Sequence, residues 1–353
     1  MRKIKRYIAQ VVWQSIVIVL FLIVALDTIS EVVDQVGRLR GGYTFFEALI
    51  YTVLNIPAAV YEYLPMACLV GCLVGLGILA NSNELVVIRA AGMSVRQIIW
   101  AVMRPVLVLV LIGALIGEDV APYASQYADS RRALVLGHQQ ALQSERGVWN
   151  REGNEFMHFN AVMANGKLFG ITRYRFDARG NLEESVFVES AIYQGGYWFE
   201  ENGVITRFRP EKLERETFDT RRWESEVSPD LLNILVLEPE YLPMQRLYTY
   251  ATYLARQGLE SSEYRLAFWT KALQPFTIAS LVVIAISFIL GPLRQTTMGF
   301  RVFVGVIVGL VFQTTQKMLA PTSIIVGFSP MFAVLIPIAV CFVIGGLLIR
   351  QAR

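Results

Sequence analysis

Three membrane-length apolar runs, a polar block of roughly 145 residues and three more apolar runs make up this chain. About 20 predominantly apolar residues cross a bilayer core as a helix. The stretches near 8–29, 64–80, 98–117, 272–290, 302–319 and 331–349 meet or approach that length, so six spans are expected. Segment 44–62 is also apolar but carries Glu47, Glu62 and Pro57, and is read as an extension of the second span rather than a crossing of its own. A composition 54% hydrophobic and only 17% charged, with mean hydropathy +0.46, agrees with a polytopic membrane protein.

The flanking charges give an orientation. Arg2, Lys3, Lys5, Arg6, Arg89, Arg96, Arg104, Arg294, Arg301, Arg350 and Arg353 fall on one side, against Arg38, Arg40 and Lys317 near the short connections of the other. The positive-inside rule then places both termini in the cytoplasm and the polar block outside. The basic, then apolar, N-terminus imitates a signal peptide, but Ala25-Leu26-Asp27-Thr28 offers no small-x-small cleavage site, so this segment is expected to stay as span 1. Cys68, Cys72 and Cys341 all lie in spans, which leaves the external block without a disulfide. Cys68 and Cys72, beside Gly71, Gly75 and Gly77, read as small packing residues.

The external block, 119–265, reads as β structure in its middle. Runs Glu155–Met163, Lys167–Phe176, Ser185–Tyr193 and Gly203–Arg209 alternate with period two and are separated by Asn165-Gly166, Asp177-Ala178-Arg179-Gly180, Gly195-Gly196 and Asn202-Gly203. That spacing predicts an antiparallel sandwich or jelly roll. Trp149, Trp198 and Trp223 fill either an ordinary core or an apolar groove for lipid chains. Segments 123–143 and 244–268 read as helices joining the block to spans 3 and 4. The expected division is 1–122 (spans 1–3), 123–265 (external β domain with flanking helices) and 266–353 (spans 4–6).

Chemistry-bearing motifs are missing. No Gly-x-x-x-x-Gly-Lys-[Ser/Thr] phosphate loop, Gly-x-Ser-x-Gly or His-Glu-x-x-His occurs, and His138 and His158 have no neighbours at metal-ligand spacing. The chain is therefore expected to be no enzyme and to bind no cofactor or metal itself. Work against a gradient would draw on ion flow or on a partner. Asp27, Glu62, Glu118 and Asp119 are the ionisable groups near span ends that an ion-coupled secondary transporter would use. A partner would dock on the 2–3 loop, Asn81 to Ser94. There Ser82 or Asn83 caps a short helix near 82–92, Glu84 sits in its first turn and Gly92 ends it. Leu85, Val86, Val87 and Ile88 are too apolar for a helix free in the cytosol. It either lies on the inner leaflet or seats in a groove of a cytoplasmic subunit, with Glu84 meeting a basic residue and Leu85, Ile88 and Arg89 in the contact.

Several stretches together resemble the LptF/LptG permease family of the lipopolysaccharide exporter. They are the loop Asn83 to Gly92, Gly117-Glu118-Asp119-Val120-Ala121-Pro122 after span 3, Trp269-Thr270-Lys271 with Gln274-Pro275 in span 4, and Phe288-Ile289-Leu290-Gly291-Pro292-Leu293-Arg294 after it. Val33-Asp34-Gln35-Val36 and the Gly-Pro-Leu-Arg run are most similar to the LptG branch. The resemblance implies an LptF–LptG heterodimer in the Gram-negative inner membrane, two LptB-like ATPase subunits that bind ATP and Mg, and a single-span LptC-like protein. It also implies a lipopolysaccharide cargo passed through jelly-roll domains to a periplasmic bridge protein. Moving a many-chained lipid into water would cost tens of kcal/mol, at roughly 0.8 kcal/mol per methylene. An apolar path lowers that cost. Gly71/Gly75, Gly113/Gly117 and Gly305/Gly309 would let helices slide or simply pack closely. Arg38 and Arg40 have two readings. One is an exposed Asp34–Arg38 helix pair contributing about 0.3–0.5 kcal/mol; the other, with Lys317 at similar depth, is a grip on lipid phosphates beside a lateral gate. The resemblance favours the second, although Gly37 and Leu39 interrupt the basic run. A mechanical scaffold that binds periplasmic proteins without moving lipid is the alternative of another class.

Overall fold

The computed structural model describes residues 2–37, 43–136, 148–162, 167–177, 179–209, 212–225, 227, 239, 242–256, 261–291, 296–326 and 328–351. In chain order the helices are α1 (Arg2–Val36), α2 (Phe45–Asn81), the short α3 (Glu84–Ala90) and α4 (Val95–Leu115). A π turn, Ile116–Val120, carries α4 directly into α5 (Ala121–Leu136). After the strands come α6 (Met244–Arg256), α7 (Ser262–Leu290), α8 (Met298–Val326) and α9 (Pro330–Gln351). Among the described residues six helices are long and apolar enough to cross a membrane, with Val95–Asp129 counted as one. Segment 44–62 falls within α2, an unbroken helix of 37 residues despite Pro57 and Pro65. The chain forms two compact units: Met1–Glu31 with Ile56–Pro122 and Pro243–Arg353, and Val32–Asn55 with Tyr123–Leu242.

In the helical unit α2 is the hub. A Cβ on Gly71 would stand 2.5 Å from the Ile16 Cα, and one on Gly75 would stand 3.1 Å from the Val12 Cα, so α1 and α2 touch backbone to backbone and run antiparallel. Gly113 and Gly117 face Leu64 and Tyr61 in the same way, which makes α4 antiparallel to α2 and parallel to α1. On α8, Gly305 and Gly309 lie against Leu73 and Met66. Small residues at these seams replace a hydrophobic driving force that lipid-embedded helices lack. Cys68 and Cys72 are buried in this core, and Cys341 is also reduced.

Among the described residues the β unit is one antiparallel sheet of six strands paired in sequence order: β1 (Val148–Glu152), β2 (Glu155–Val162), β3 (Lys167–Phe176), β4 (Leu182–Tyr193), β5 (Trp198–Arg209) and β6 (Lys212–Trp223). A crease runs across it. Burial alternates along β5 as Trp198, Glu200, then Gly203, Ile205, and along β3 as Leu168, then Ile171, Arg173. Each phase change falls at a positive φ, Asn202 at 55° and Gly170 at 61°. The register with β4 is unchanged across both. The Asn202-Gly203 pair, expected as a turn, is therefore a mid-strand kink. A Cβ on Gly203 would stand 2.1 Å from the Phe218 ring. Such kinks are how sheets turn corners.

The curl brings Arg173 of β3 to Glu200 of β5 at 2.6 Å and to Glu155 of β2 at 2.9 Å, with the Trp223 ring 4.6 Å away. Burial raises the Glu200 carboxyl above its usual range, opposed by Arg173 and Arg221. Trp198 and Trp223 are buried and Trp198 donates to the Val227 carbonyl at 2.8 Å, whereas Trp149 is exposed. In the same unit, Arg131 of α5 forks onto Glu47 of α2 at 2.7 and 2.9 Å.

Candidate functional site along α2

At one end of α2, Asn81 is followed by Ser82 and Asn83, then α3. Asn83 occupies the cap position with φ 56° and gives no side-chain cap, while the Ser82 hydroxyl bonds back to the Ile78 carbonyl. The expected capping by either side chain is absent because the chain turns through a left-handed residue instead. Gly92, at φ 85°, closes the helix with its N–H on the Arg89 carbonyl at 3.0 Å. Leu85 and Ile88 point into the helical core, whereas Val87 is 65% and Val86 44% exposed. The apolar residues of α3 thus divide, one pair anchoring it and the other facing outward. Glu84 and Arg89 are half-buried, and Glu84 lies close enough to the Tyr7 hydroxyl of α1 to act on it. Beside them Arg301 of α8, 1% exposed, donates to the Gly77 carbonyl at 2.9 Å and to Asn81 Oδ1 at 3.0 Å. A buried guanidinium thereby welds α8 to the last turns of α2.

In the middle of α2, Pro65 lacks the N–H that would satisfy the Tyr61 carbonyl four residues earlier. Gln274 of α7 supplies a donor from its side chain at 3.2 Å. Next to it Lys271, 5% exposed at its side chain, donates to the Gly117 carbonyl inside the π turn at 3.1 Å. Its ammonium also lies 3.9 Å from Glu118 Oε1 and 5.5 Å from the Tyr61 ring centroid. Glu118 Oε2 in turn accepts the Met244 N–H that opens α6, at 2.8 Å. π turns leave backbone groups that need outside partners. Here lysine provides one, so α2, α4, α6 and α7 meet in a single polar knot. Nearby, Tyr63 donates to Asp27 at 2.8 Å and Lys317 pairs with Glu62 at 3.5 Å, largely exposed.

The chain matches the family described as lipopolysaccharide export system permease LptF/LptG over residues 6–351. It belongs to that family. Among relatives, the lipopolysaccharide export system permease protein LptG of Escherichia coli strain K12 is 33% identical over 355 residues, covering 98% of both chains. The protein of the same name from Haemophilus influenzae is 33% identical over 335 residues, covering 94% of both.

The stretches that carry the LptF/LptG resemblance thus gather at two places along α2: Gly117 and Glu118 meet Lys271 beside the Gln274–Tyr61 bond at its middle, and Asn83 to Gly92 form α3 just past its C-terminal end. Of the expected site residues, Glu84, Leu85, Ile88 and Arg89 share α3, and Lys317 stands against Glu62. Arg38 and Arg40 lie outside the described residues. Sequence reasoning passed over Lys271 as anything but a motif letter, although a lysine within an apolar span is itself a signal. It counted Arg301 as a flanking charge. Among the described residues no cluster of His, Cys, Asp and Glu could hold a metal ion.

Proposed function

We propose that this chain is the LptG-type transmembrane permease of an ATP-driven exporter that extracts lipopolysaccharide from the inner membrane and passes it to a periplasmic bridge. The observation that carries this reading is the family match from residue 6 to residue 351, across both sets of three spans and the β unit between them. Both termini and α3 face the cytoplasm, as the charge bias supports, and the curled β unit is the jelly-roll-like groove on the periplasmic side. The permease pairs with an LptF-like subunit and an LptC-like single-span protein. Two LptB-like subunits bind ATP and Mg and hydrolyse it, and this chain, itself not an enzyme, transmits the motion. Glu84, Leu85, Ile88 and Arg89 form the coupling element, in which Leu85 and Ile88 seat the helix on its own core and Glu84 and Arg89 meet the ATPase. Arg38, Arg40 and Lys317 contact lipid phosphates at headgroup depth.

Photo-crosslinking tests the proposal. With the reconstituted complex in lipopolysaccharide-containing vesicles, a photoreactive residue at Phe199 in the β unit should capture the lipid only when ATP is hydrolysed. Capture that ignores ATP and follows a proton gradient would favour the ion-coupled reading. Absence of capture, with the ATPase bound and active, would favour a scaffold. Arg38→Glu with Arg40→Glu should preserve ATPase association and reduce capture; undiminished capture at normal protein levels would return both arginines to a surface role.

A further inference from the structure

Between α1 and α4 runs an open groove of about 360 Å³, whose walls include Arg6, Gln10 and Trp13 of α1 and Arg104, Pro105 and Val108 of α4. The volume lies within the range of small-ligand sites, about 300–1,000 Å³. Because both helices run the same way, the groove has a direction. Arg6 and Gln10 stand toward the N-terminal ends, Trp13 follows two turns further along α1, and Val108 lies a turn beyond Arg104 on α4. Arg104 lies within the candidate span Val95–Asp129. A charged side chain there is costly unless it is paired or reaches the interface. Among the described residues neither Arg6 nor Arg104 has a hydrogen-bond or ion-pair partner, and no carboxylate lines the groove.

We propose that this groove binds the headgroup of an anionic glycerophospholipid from the leaflet at the N-terminal ends of α1 and α4. The phosphate bridges the Arg6 and Arg104 guanidiniums, which match its oxygens as paired donors. Gln10 donates to the glycerol or ester oxygens. Trp13 takes the interfacial depth at which its indole is at home, and the acyl chains leave along Val108 into the bilayer. The polar-to-apolar gradient distinguishes this ligand from free phosphate, which would gain nothing from Trp13 and Val108. The site rests only on these helices being embedded in lipid and is independent of what the β unit carries.

Native mass spectrometry of the assembled complex from nanodiscs of phosphatidylglycerol and phosphatidylcholine tests it. Retained phosphatidylglycerol should fall about fivefold for each arginine removed in Arg6→Gln and Arg104→Gln. Arg104→Lys should keep most of it, and Arg350→Gln should keep all of it. A headgroup-photoactivatable phosphatidylglycerol gives a second readout on the unmodified protein, with label expected on peptides containing Gln10 and Arg104. Unchanged retention in the double variant, or label elsewhere, would overturn the proposal. Displacement by excess inorganic phosphate alone would make this a free-phosphate site. Loss of the partner permease rather than of lipid would make it a protein interface.

Discussion

Lys271 illustrates what a single charge does inside an apolar helix. Its ammonium satisfies the Gly117 carbonyl, neutralises Glu118 and lies over Tyr61, so it ties α7 and α2 to the π turn. Lys271→Met keeps the volume and removes the donor; breaking a buried pair costs about 3–5 kcal/mol. Because Glu118 is 30% exposed, the lower end of that range applies. Thermal unfolding in detergent should show the loss, while Gln274→Met, which strands only a carbonyl, should lose about 1–3 kcal/mol. Glu84→Ala is expected to leave the fold intact and weaken ATPase recovery in pull-downs, since truncating one member of an interfacial charge pair costs about 2–5 kcal/mol. Normal recovery and export would assign α3 to the membrane surface. In the β unit, Asp177 accepts the Asn181 side-chain amide at 3.0 Å and the backbone N–H groups of Asn181 and Arg179, both at 2.8 Å, and these bonds, the side-chain one foremost, hold its carboxyl below the usual range. A depressed folded pKa contributes stability that is present above about pH 4. That stability is lost as the pH falls through the folded value. Protection of the Asn181 amide relative to its intrinsic exchange rate should therefore fall on acidification, and in Asp177→Asn it should be low throughout.

At the scale of the element, the crease in the sheet makes the sharpest demand. Asn202 is one of two non-glycine residues with positive φ among the described residues, and asparagine tolerates that region. Asn202→Gly should leave stability nearly unchanged, and Asn202→Ile should cost about 1–2 kcal/mol, measurable as a lowered unfolding midpoint of the whole chain. The same residue shows why the sequence was only partly legible. An Asn-Gly pair signals a hairpin turn by local chemistry, and only the neighbours across the sheet turn it into a mid-strand kink. β3 was readable to both ends, since its apolar residues alternate between strong turn signals. β6, KLERETFDTRRW, carries too many charges to show the alternation, and its place follows from pairing with β5. The spans were plain because length and hydrophobicity decide them. The division of α3 into buried Leu85 and Ile88 and exposed Val86 and Val87 was not plain, because four consecutive apolar residues do not reveal which face has a core beneath it. No sequence pattern announces a π turn, so the meeting of Glu118 with Lys271 emerged only in three dimensions.

For the whole molecule, the orientation proposed from the charge bias can be tested by labelling. A cysteine introduced at Ser94 in a cysteine-free background should be labelled only from the cytoplasmic face, and one at Tyr197 only from the periplasmic face. Labelling of Ser94 from outside would reverse the orientation. Gly71→Leu should disrupt the assembly of the spans, because its side chain has to enter space held by the Ile16 backbone; overpacking of this kind costs about 1–3 kcal/mol or more. That glycine also stands midway between two gripped positions of α2, ten residues from Tyr61 near the middle of the helix and ten from Asn81 at its end. At 1.5 Å per residue each arm is about 15 Å long. A stiff segment pinned at its centre and gripped at both of these positions behaves as a balance beam. A sideways push of about 2 Å where Arg301 holds Asn81 swings Tyr61 by a similar amount in the opposite direction, against the lysine that clasps the π turn, with no helix changing its length or its register.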